Sequence, residues 1–427
     1  MIISKIKNYL LLALLLALPW QTRLIYKSVY VQDKFWEYGS LFLYGSEILT
    51  AILILIWIID RLRDKNFRAR LEMANIKRVM VILGVYAILA FYFFISANHD
   101  LAWQYLNWMI YAACVFIIVL ESEFSFYKIS LFVWSGAILP SILGIYQFFS
   151  QSVLANKWLG LAAQNPFTVG VSVVEYLDER WLRAYGSFGS PNALGIYLSV
   201  IFLLGVILIL KTKHQKTRIL LLIGQLIIVV ALFFSFSRGA YLGAFFGLII
   251  LVWQNRKNIL FFQQFGLYVL LGAILLFAFF QPLFVRVNLS NRLEAKSIFE
   301  RMTQWQDFKI IFTDHPLFGV GPGNYPVALQ SLHPQFSANY FSPIHNIYLF
   351  FLGQFGLVGL LFVICGVYYL YKNIKKRIKI FAPFLPLLIS GLFDHWSLSM
   401  FTGWIFFALI LALAAKISYI DTNSAKE

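Results

Sequence analysis

Cysteine is almost absent from this chain. The 427 residues contain two, Cys114 and Cys365, both inside apolar runs. They are too few and too badly placed for a zinc site or a disulfide framework. Charge is also scarce: 13% of residues are Asp, Glu, Lys or Arg, against 60% hydrophobic, with a mean hydropathy of +0.76. A soluble domain of this size is nearer half apolar and about a quarter charged, so the composition excludes one and defines an integral membrane protein. Acidic residues are the rarer sign, 19 against 35 basic, for a net charge of +16. Such an excess can signal nucleic acid, but position argues otherwise. Lys and Arg concentrate in short segments between apolar runs, as in cytoplasmic loops, so the bilayer is the expected partner and nucleic acid is not. Other patterns are missing too. The glycine cluster at 319–323 is not followed by Gly-Lys-Ser/Thr and is no P-loop. The outer segments carry no Asp-x-Asp or His-x-x-x-His pattern and the chain no Gly-x-Ser-x-Gly elbow, so neither a metal nor a cofactor is expected.

What is present is hydrophobic length. Apolar runs long enough to span recur about twelve times. They centre on Leu14, Ile52, Ala87, Ala112, Ile138, Ile201, Ile228, Leu248, Leu271, Val358, Leu388 and Leu409. The first is short and follows Lys5 and Lys7 like a signal peptide, but lacks a small-x-small cleavage site and reads as an uncleaved span. The expected fold class is all-α: a polytopic membrane protein of about twelve helices with a large extracytoplasmic loop between the ninth and tenth. Basic residues crowd 60–78, 211–218, 254–258 and 372–379. With a cytoplasmic N-terminus all four fall inside, and 151–190 and 281–344 fall outside. Residues 1–150 read as N-terminal transmembrane helices and 151–427 as the membrane domain that carries both outer segments.

The stretch 314–359 organises the rest. A glycine-rich turn (Gly319, Gly321, Gly323, Asn324) leads through a polar connection to His345 and Asn346 at the mouth of an apolar run. His345, Leu349, Leu352, Gly356 and Gly359 share one helical face, and glycines three apart allow another helix close approach. A helix N-terminus there should keep His345 neutral, as a general base requires. Upstream, 291–312 has helical spacing of Leu293, Ile298, Met302, Trp305, Phe308 and Phe312, with Asn291 and Glu294 fitting a capping box. That helix either lies on the outer interface or packs over the bundle. Two arginine clusters share the outer side. In Arg183-Ala-Tyr-Gly-Ser-Phe-Gly-Ser-Pro-Asn192, Ser190 reads as an N-cap and Pro191 as the first helical residue. That helix start and Arg183 could share an anion, and a capped helix with an interfacial Arg is the plainer alternative. In Ser235-Phe-Ser-Arg238-Gly239 the turn is so short that Arg238 sits at membrane level and needs an anion or water, a lipid phosphate included. Gly239 permits the turn. Asp394 and His395, near the outer end of the eleventh run, either support the site or form an interfacial pair.

The order of these motifs resembles the O-antigen ligase and polymerase family of bacterial membranes. The matching residues are Arg183, Gly186, Pro191 and Asn192; Ser237, Arg238 and Gly239; Pro316, Gly319, Gly321, Asn324 and Tyr325; and His345 and Asn346 with Gly356 and Gly359. They lie in the second half of the chain. The resemblance implies an inverting, metal-independent glycosyltransferase on the outer face of the cytoplasmic membrane. Such an enzyme takes a glycan from an undecaprenyl diphosphate carrier to lipid A-core, another repeat unit or another acceptor. It implies that His345 activates the acceptor hydroxyl and that Arg183 and Arg238 hold the departing diphosphate, with Asn192, Ser237, Asn324, Tyr325 and Asn346 as substrate-binding neighbours. Ligase and polymerase both remain open. A flippase of lipid-linked sugars is the alternative from another class; it would favour repeated halves and ionisable groups at the bilayer midplane.

Overall fold

A computed structural model describes residues 2–64, 76–176, 179–287, 292–373 and 382–423. The basic segments 65–75 and 374–381 and residue Asn291 lie outside the described residues. The chain is mostly helical. Six helices are long and apolar enough to cross a membrane, counting Phe126–Ser150 as one, and three shorter apolar helices accompany them among the described residues.

The helices in order are α1 (Ile2–Ala17), α2 (Gly45–Arg63), α3 (Ile76–Ile95), α4 (His99–Glu121), α5 (Phe126–Gly136) and α6 (Ile138–Ser150). Then come α7 (Pro191–Lys211), α8 (Gln215–Phe234), α9 (Arg238–Gln254), α10 (Ile259–Ala278) and α11 (Phe280–Val287). The last are α12 (Arg292–Asp314), α13 (Tyr325–Leu332), α14 (Ile347–Asn373), α15 (Leu385–Ser390), α16 (Trp396–Ser399) and α17 (Phe401–Asn423). The central helix is α7. Its side chains are apolar on every face and almost all buried, as expected of a helix ringed by others. The helices α5, α8, α9 and α15 pack around it.

Three short antiparallel strand pairs qualify the all-α expectation. Strands β1 (Arg23–Lys27) and β4 (Leu41–Tyr44) pair, as do β2 (Tyr30–Val31) and β3 (Lys34–Phe35), in a segment between the first two helices. Strands β5 (Val173–Tyr176) and β6 (Glu179–Leu182) pair antiparallel in the segment 151–190. The run centred on Leu388 also departs from expectation. It folds as a 3-10 turn (Ala382–Phe384), α15, a non-helical stretch and α16. Pro383, Pro386 and Gly391 interrupt the helix pattern there. This broken segment lies along a glycine ridge of α9, with Gly239 against Phe393, Gly243 against Pro386 and Gly247 against Ala382.

The long apolar helix α14 is broken as well. Gly356 sits at φ 61°, ψ −165°, about 14 Å along the helix from Ile347. A break at that depth frees backbone groups that lipid cannot satisfy. The glycine turn satisfies them. Leu357 and Val358 donate to the carbonyls of Pro316 and Leu317 at 3.0 and 2.9 Å. In return Val320 and Gly321 donate to the carbonyls of Gly353 and Gln354, both at 2.9 Å. Thus the glycine face expected to receive another helix receives a loop backbone. The stripe from His345 to Gly359 does not continue as one helical face across the break. We predict that Gly356→Ala lowers the thermal midpoint in detergent, because φ alone costs about 1–3 kcal/mol and a Cβ would overlap the Leu317 carbonyl. Gly366→Ala, where a Cβ meets nothing within 4 Å, should be neutral. Equal midpoints for the two would show that the break carries no constraint.

Candidate functional site

Two helices begin at one place in the bundle. Ser190 caps α7, its hydroxyl accepting from the Ala193 N–H at 3.1 Å, and Pro191 is the first helical residue, as the sequence predicts. Helix α9 begins at Arg238 after the turn Ser235–Phe236–Ser237, and no side chain caps its free N–H groups. The left-handed residue of that turn is Phe236 (φ 46°). Gly239, to which the sequence analysis gave the turn, is inside α9 and makes room for Phe393. A large L-residue in this conformation is strained. Packing against Phe148 and Phe233 holds it. The turn aims two carbonyls at guanidiniums. Arg183 Nε donates to Ser235 O at 2.7 Å and Arg286 Nη2 to Phe236 O at 3.3 Å.

Beside these two helix starts is a cavity of about 570 Å³. Its walls include Arg183, Asn192, Ser237 and Arg238, candidate site residues from two separate sequence motifs. They also include Arg286, Arg301 and Asp394. Arg183 is buried, and its Nη2 donates to Asn192 Oδ1 at 2.8 Å. Asn192 Nδ2 passes the chain on to Asp394 Oδ2 at 3.2 Å, while Asp394 Oδ1 accepts from Trp396 N–H at 2.8 Å. Burial, then the neighbouring Arg286, lowers the Arg183 pKa to about 9, which leaves it cationic at neutral pH. Burial also lowers Arg286 and Arg301. Arg238 lies 2.7 Å from Glu294 Oε2 and donates to the Arg286 carbonyl at 3.0 Å. Arg286 pairs with the other oxygen of Glu294, a buried carboxylate. Four guanidiniums therefore face two carboxylates, Glu294 and Asp394, and the excess positive charge suits a polyanion.

Helix α12 roofs this cavity. Its inward stripe is Glu294, Ser297, Arg301, Gln304, Phe308 and Ile311, at helical spacing. Of the apolar positions used to recognise the helix, Phe308 is buried and Phe312 partly so, whereas Ile298, Met302 and Trp305 are exposed. Glu294 uses its carboxylate on two arginines rather than on a helix cap. The apolar stripe is what marks this helix in the sequence; the polar stripe beside it, Arg301 included, gives no such signal. Arg286 had no local signal.

His345 is close to the cavity but not among its lining residues. It precedes α14 by two positions and touches Gln304 of α12. Its ring stands 5.1 Å from that of His395, edge to face. Burial lowers the His345 pKa, with Asp394 opposing and Arg301 adding to the shift. Asn346 caps α14, its Oδ1 accepting from Tyr348 and Leu349 N–H at 3.0 and 3.1 Å. Asn324 and Tyr325 lie apart from the cavity. Asn324 Oδ1 accepts from Asn98 N–H at 2.7 Å and its amide donates to Pro322 O at 2.8 Å. Tyr325 is buried against Phe350 and over Gly353. The N-terminal half reaches the site through Tyr38, whose ring is 5.6 Å from His395, a contribution that hydropathy gave no sign of.

Fold and site thus describe a polytopic helical membrane protein with a cationic cavity beside a neutral histidine. The family model for O-antigen ligase matches residues 223–364, about a third of the chain. The resemblance to O-antigen ligases drawn from the motifs therefore holds. The match contains Arg238, the glycine turn and His345, while Arg183 and Asn192 lie before it. No curated protein sequence matches the chain.

Proposed function

We propose that this protein is a glycosyltransferase that moves a glycan from an undecaprenyl diphosphate carrier to an acceptor hydroxyl, with inversion, at the outer face of the cytoplasmic membrane. The observation that carries the reading is the cavity where Arg183, Arg238, Arg286 and Arg301 converge beside the N-termini of α7 and α9. Fixed guanidiniums and free backbone N–H groups stabilise the charge that grows on a departing diphosphate. They can supply the positive charge that other enzymes take from a metal ion, and no group of three His, Cys, Asp or Glu close enough to hold one occurs among the described residues. Asp394 lines the same cavity, and His345 lies beside it, against Gln304 and His395. An outer location is supported by chain direction. Lys211, Arg218, Arg256 and Lys257 sit at the ends of α7, α8 and α9 remote from the cavity, which positive-inside sorting places in the cytoplasm.

Transfer to lipid A-core is the reading we favour over polymerisation of repeat units, following the family described for 223–364. The test is purified protein with a lipid-diphosphate oligosaccharide and candidate acceptors, with and without excess chelator, and products sized on a gel. A single upward step that survives chelation is expected. A ladder would mark a polymerase. Carrier movement across liposomes without turnover would mark a flippase, and loss of activity restored by magnesium or manganese would end the metal-independent reading.

A further inference from the structure

Three rings stand in a row beside the cavity. The His345 ring lies 5.1 Å from that of His395, and the His395 ring lies 5.6 Å from that of Tyr38, both edge to face. Each ring is fixed on one side. His345 Nδ1 is 3.0 Å from the Gln304 amide, and His395 Nδ1 is 2.8 Å from Ser399 Oγ. The 3-10 turn Glu37–Gly39 that carries Tyr38 is fastened to the loop before His345. Trp36 Nε1 donates to Phe341 O at 3.0 Å and Gln32 Nε2 to Gln335 O at 2.9 Å. The remaining polar atom of each ring is His345 Nε2, His395 Nε2 or the Tyr38 hydroxyl, and none of the three bonds to a described residue. His395 is buried and the other two are half-buried. Polar atoms so placed are nearly always paired, and three unpaired ones on neighbouring rings mark a place for a ligand rich in hydroxyls. We propose that Tyr38 and His395 form a sugar-binding subsite that seats the acceptor glycan beside His345.

The chemistry suits a neutral sugar. An aromatic ring packs on the apolar face of a sugar, while a phenol and an imidazole exchange hydrogen bonds with its hydroxyls. Burial holds the Tyr38 phenol protonated, its pKa well above the ordinary value, and holds His395 neutral at about 4. The titratable groups that act on Tyr38 are Glu37, Tyr105, Asp394 and Arg23, with no cavity arginine among them. Glu37 is itself paired with Arg23 at 2.6 Å. The rings therefore offer no excess charge to a polyanion.

The choice of acceptor over donor rests on the glycan-transfer reading. Neither Tyr38 nor His395 lines the arginine cavity, although Asp394 does. In that reading the cavity holds the diphosphate of the donor, so a sugar on the rings beside it belongs to the other reactant. The turn is also set in advance. Ser40 Oγ accepts from Val29 N–H at 2.9 Å and donates to Trp36 O at 2.7 Å, which closes the turn on itself. A platform already in place loses little freedom when a ligand binds.

The test reads acceptor and donor separately. Steady-state transfer from lipid-diphosphate oligosaccharide to lipid A-core is measured for Tyr38→Phe and Tyr38→Ala. Saturation-transfer NMR of the free core oligosaccharide is measured beside it, on the protein in nanodiscs without donor. Tyr38→Phe keeps the ring and loses the hydroxyl. Its acceptor KM should rise about 2- to 12-fold, the worth of one hydrogen bond, with donor KM unchanged. Tyr38→Ala should raise acceptor KM ~10-fold or more, as truncation of a contacting aromatic does, and should abolish saturation transfer. If Tyr38→Ala does not fold, Tyr38→Phe decides. A rise in donor KM alone places the ring on the transferred glycan and overturns the acceptor assignment. A slower rate at saturating acceptor with unaltered acceptor KM makes Tyr38 a support for His395 and also overturns it. Unchanged constants and unchanged saturation transfer overturn the subsite. A protein that transfers no glycan yet binds the oligosaccharide through Tyr38 refutes the functional reading and leaves the sugar subsite standing.

Discussion

Arg238→Ala is expected to reduce glycan transfer by ~100- to 1,000-fold, the range seen when one preorganised charge-stabilising donor is removed. Arg238 is the cavity arginine with the most exposed side chain among those in ion pairs with Glu294, at 36% against 13% for Arg286. Its guanidinium is thus both held by Glu294 and open to a ligand. The loss should fall mainly on the rate at saturating donor, because the charge to be stabilised is greatest as the diphosphate leaves. Arg238→Lys keeps the charge and loses the fork, so intermediate activity is expected. Arg183→Ala should behave differently. Arg183 is buried and supports Ser235 O and Asn192 Oδ1, so its loss leaves buried acceptors unpaired at about 1–3 kcal/mol each. It should lower stability along with donor binding. The measurement is transfer rate, carrier binding and thermal midpoint for the three variants in nanodiscs. Normal turnover in Arg238→Ala would place the diphosphate elsewhere.

Glu294→Ala should produce a large loss of stability at the site. The Glu294 carboxylate is 2% exposed and lies between Arg238 and Arg286. Removing it strands two guanidiniums, one of them well buried, without a counter-charge. Breaking a buried ion pair from one side typically costs about 3–5 kcal/mol; the exposure of Arg238 puts this case toward the lower end. A second consequence separates this account from a general packing defect. An added polyanion should replace the missing carboxylate and restore part of the lost midpoint, since a ligand that binds only the folded state stabilises it by mass action. The check is thermal unfolding with and without inorganic pyrophosphate. The variant should respond to pyrophosphate more strongly than the parent protein. An unshifted midpoint, or recovery equal to that of the parent, would show that Glu294 does not balance the cavity charge.

The sequence by itself determined that this is a membrane protein, because sixty per cent hydrophobic residues in long runs cannot be covered by thirteen per cent charge. It also pointed to the short motifs whose residues line one cavity. Arg183 and Asn192 lie in one motif and Ser237 and Arg238 in another some way along the chain, and counting spans is what led us to expect them on a common side. Local rules sufficed for the Ser190–Pro191 helix start, since a cap depends only on neighbouring residues. Tertiary structure alone decided what those rules do not reach. Whether the glycines at 319–323 bind a ligand or seal a broken helix depends on α14 backbone more than thirty residues away, to which Val320 and Gly321 bond. The role of Glu294 depended on Arg238 and Arg286, which no helix periodicity connects. The run at Leu388 is apolar enough to cross, but Pro383, Pro386 and Gly391 bend it along α9, where Phe393 and Asp394 reach the cavity. The neutral histidine and its partner Gln304 come together only because α12 folds back over the bundle. Hydropathy records which side of a segment is oily; it carries no information about which polar groups meet when two segments dock.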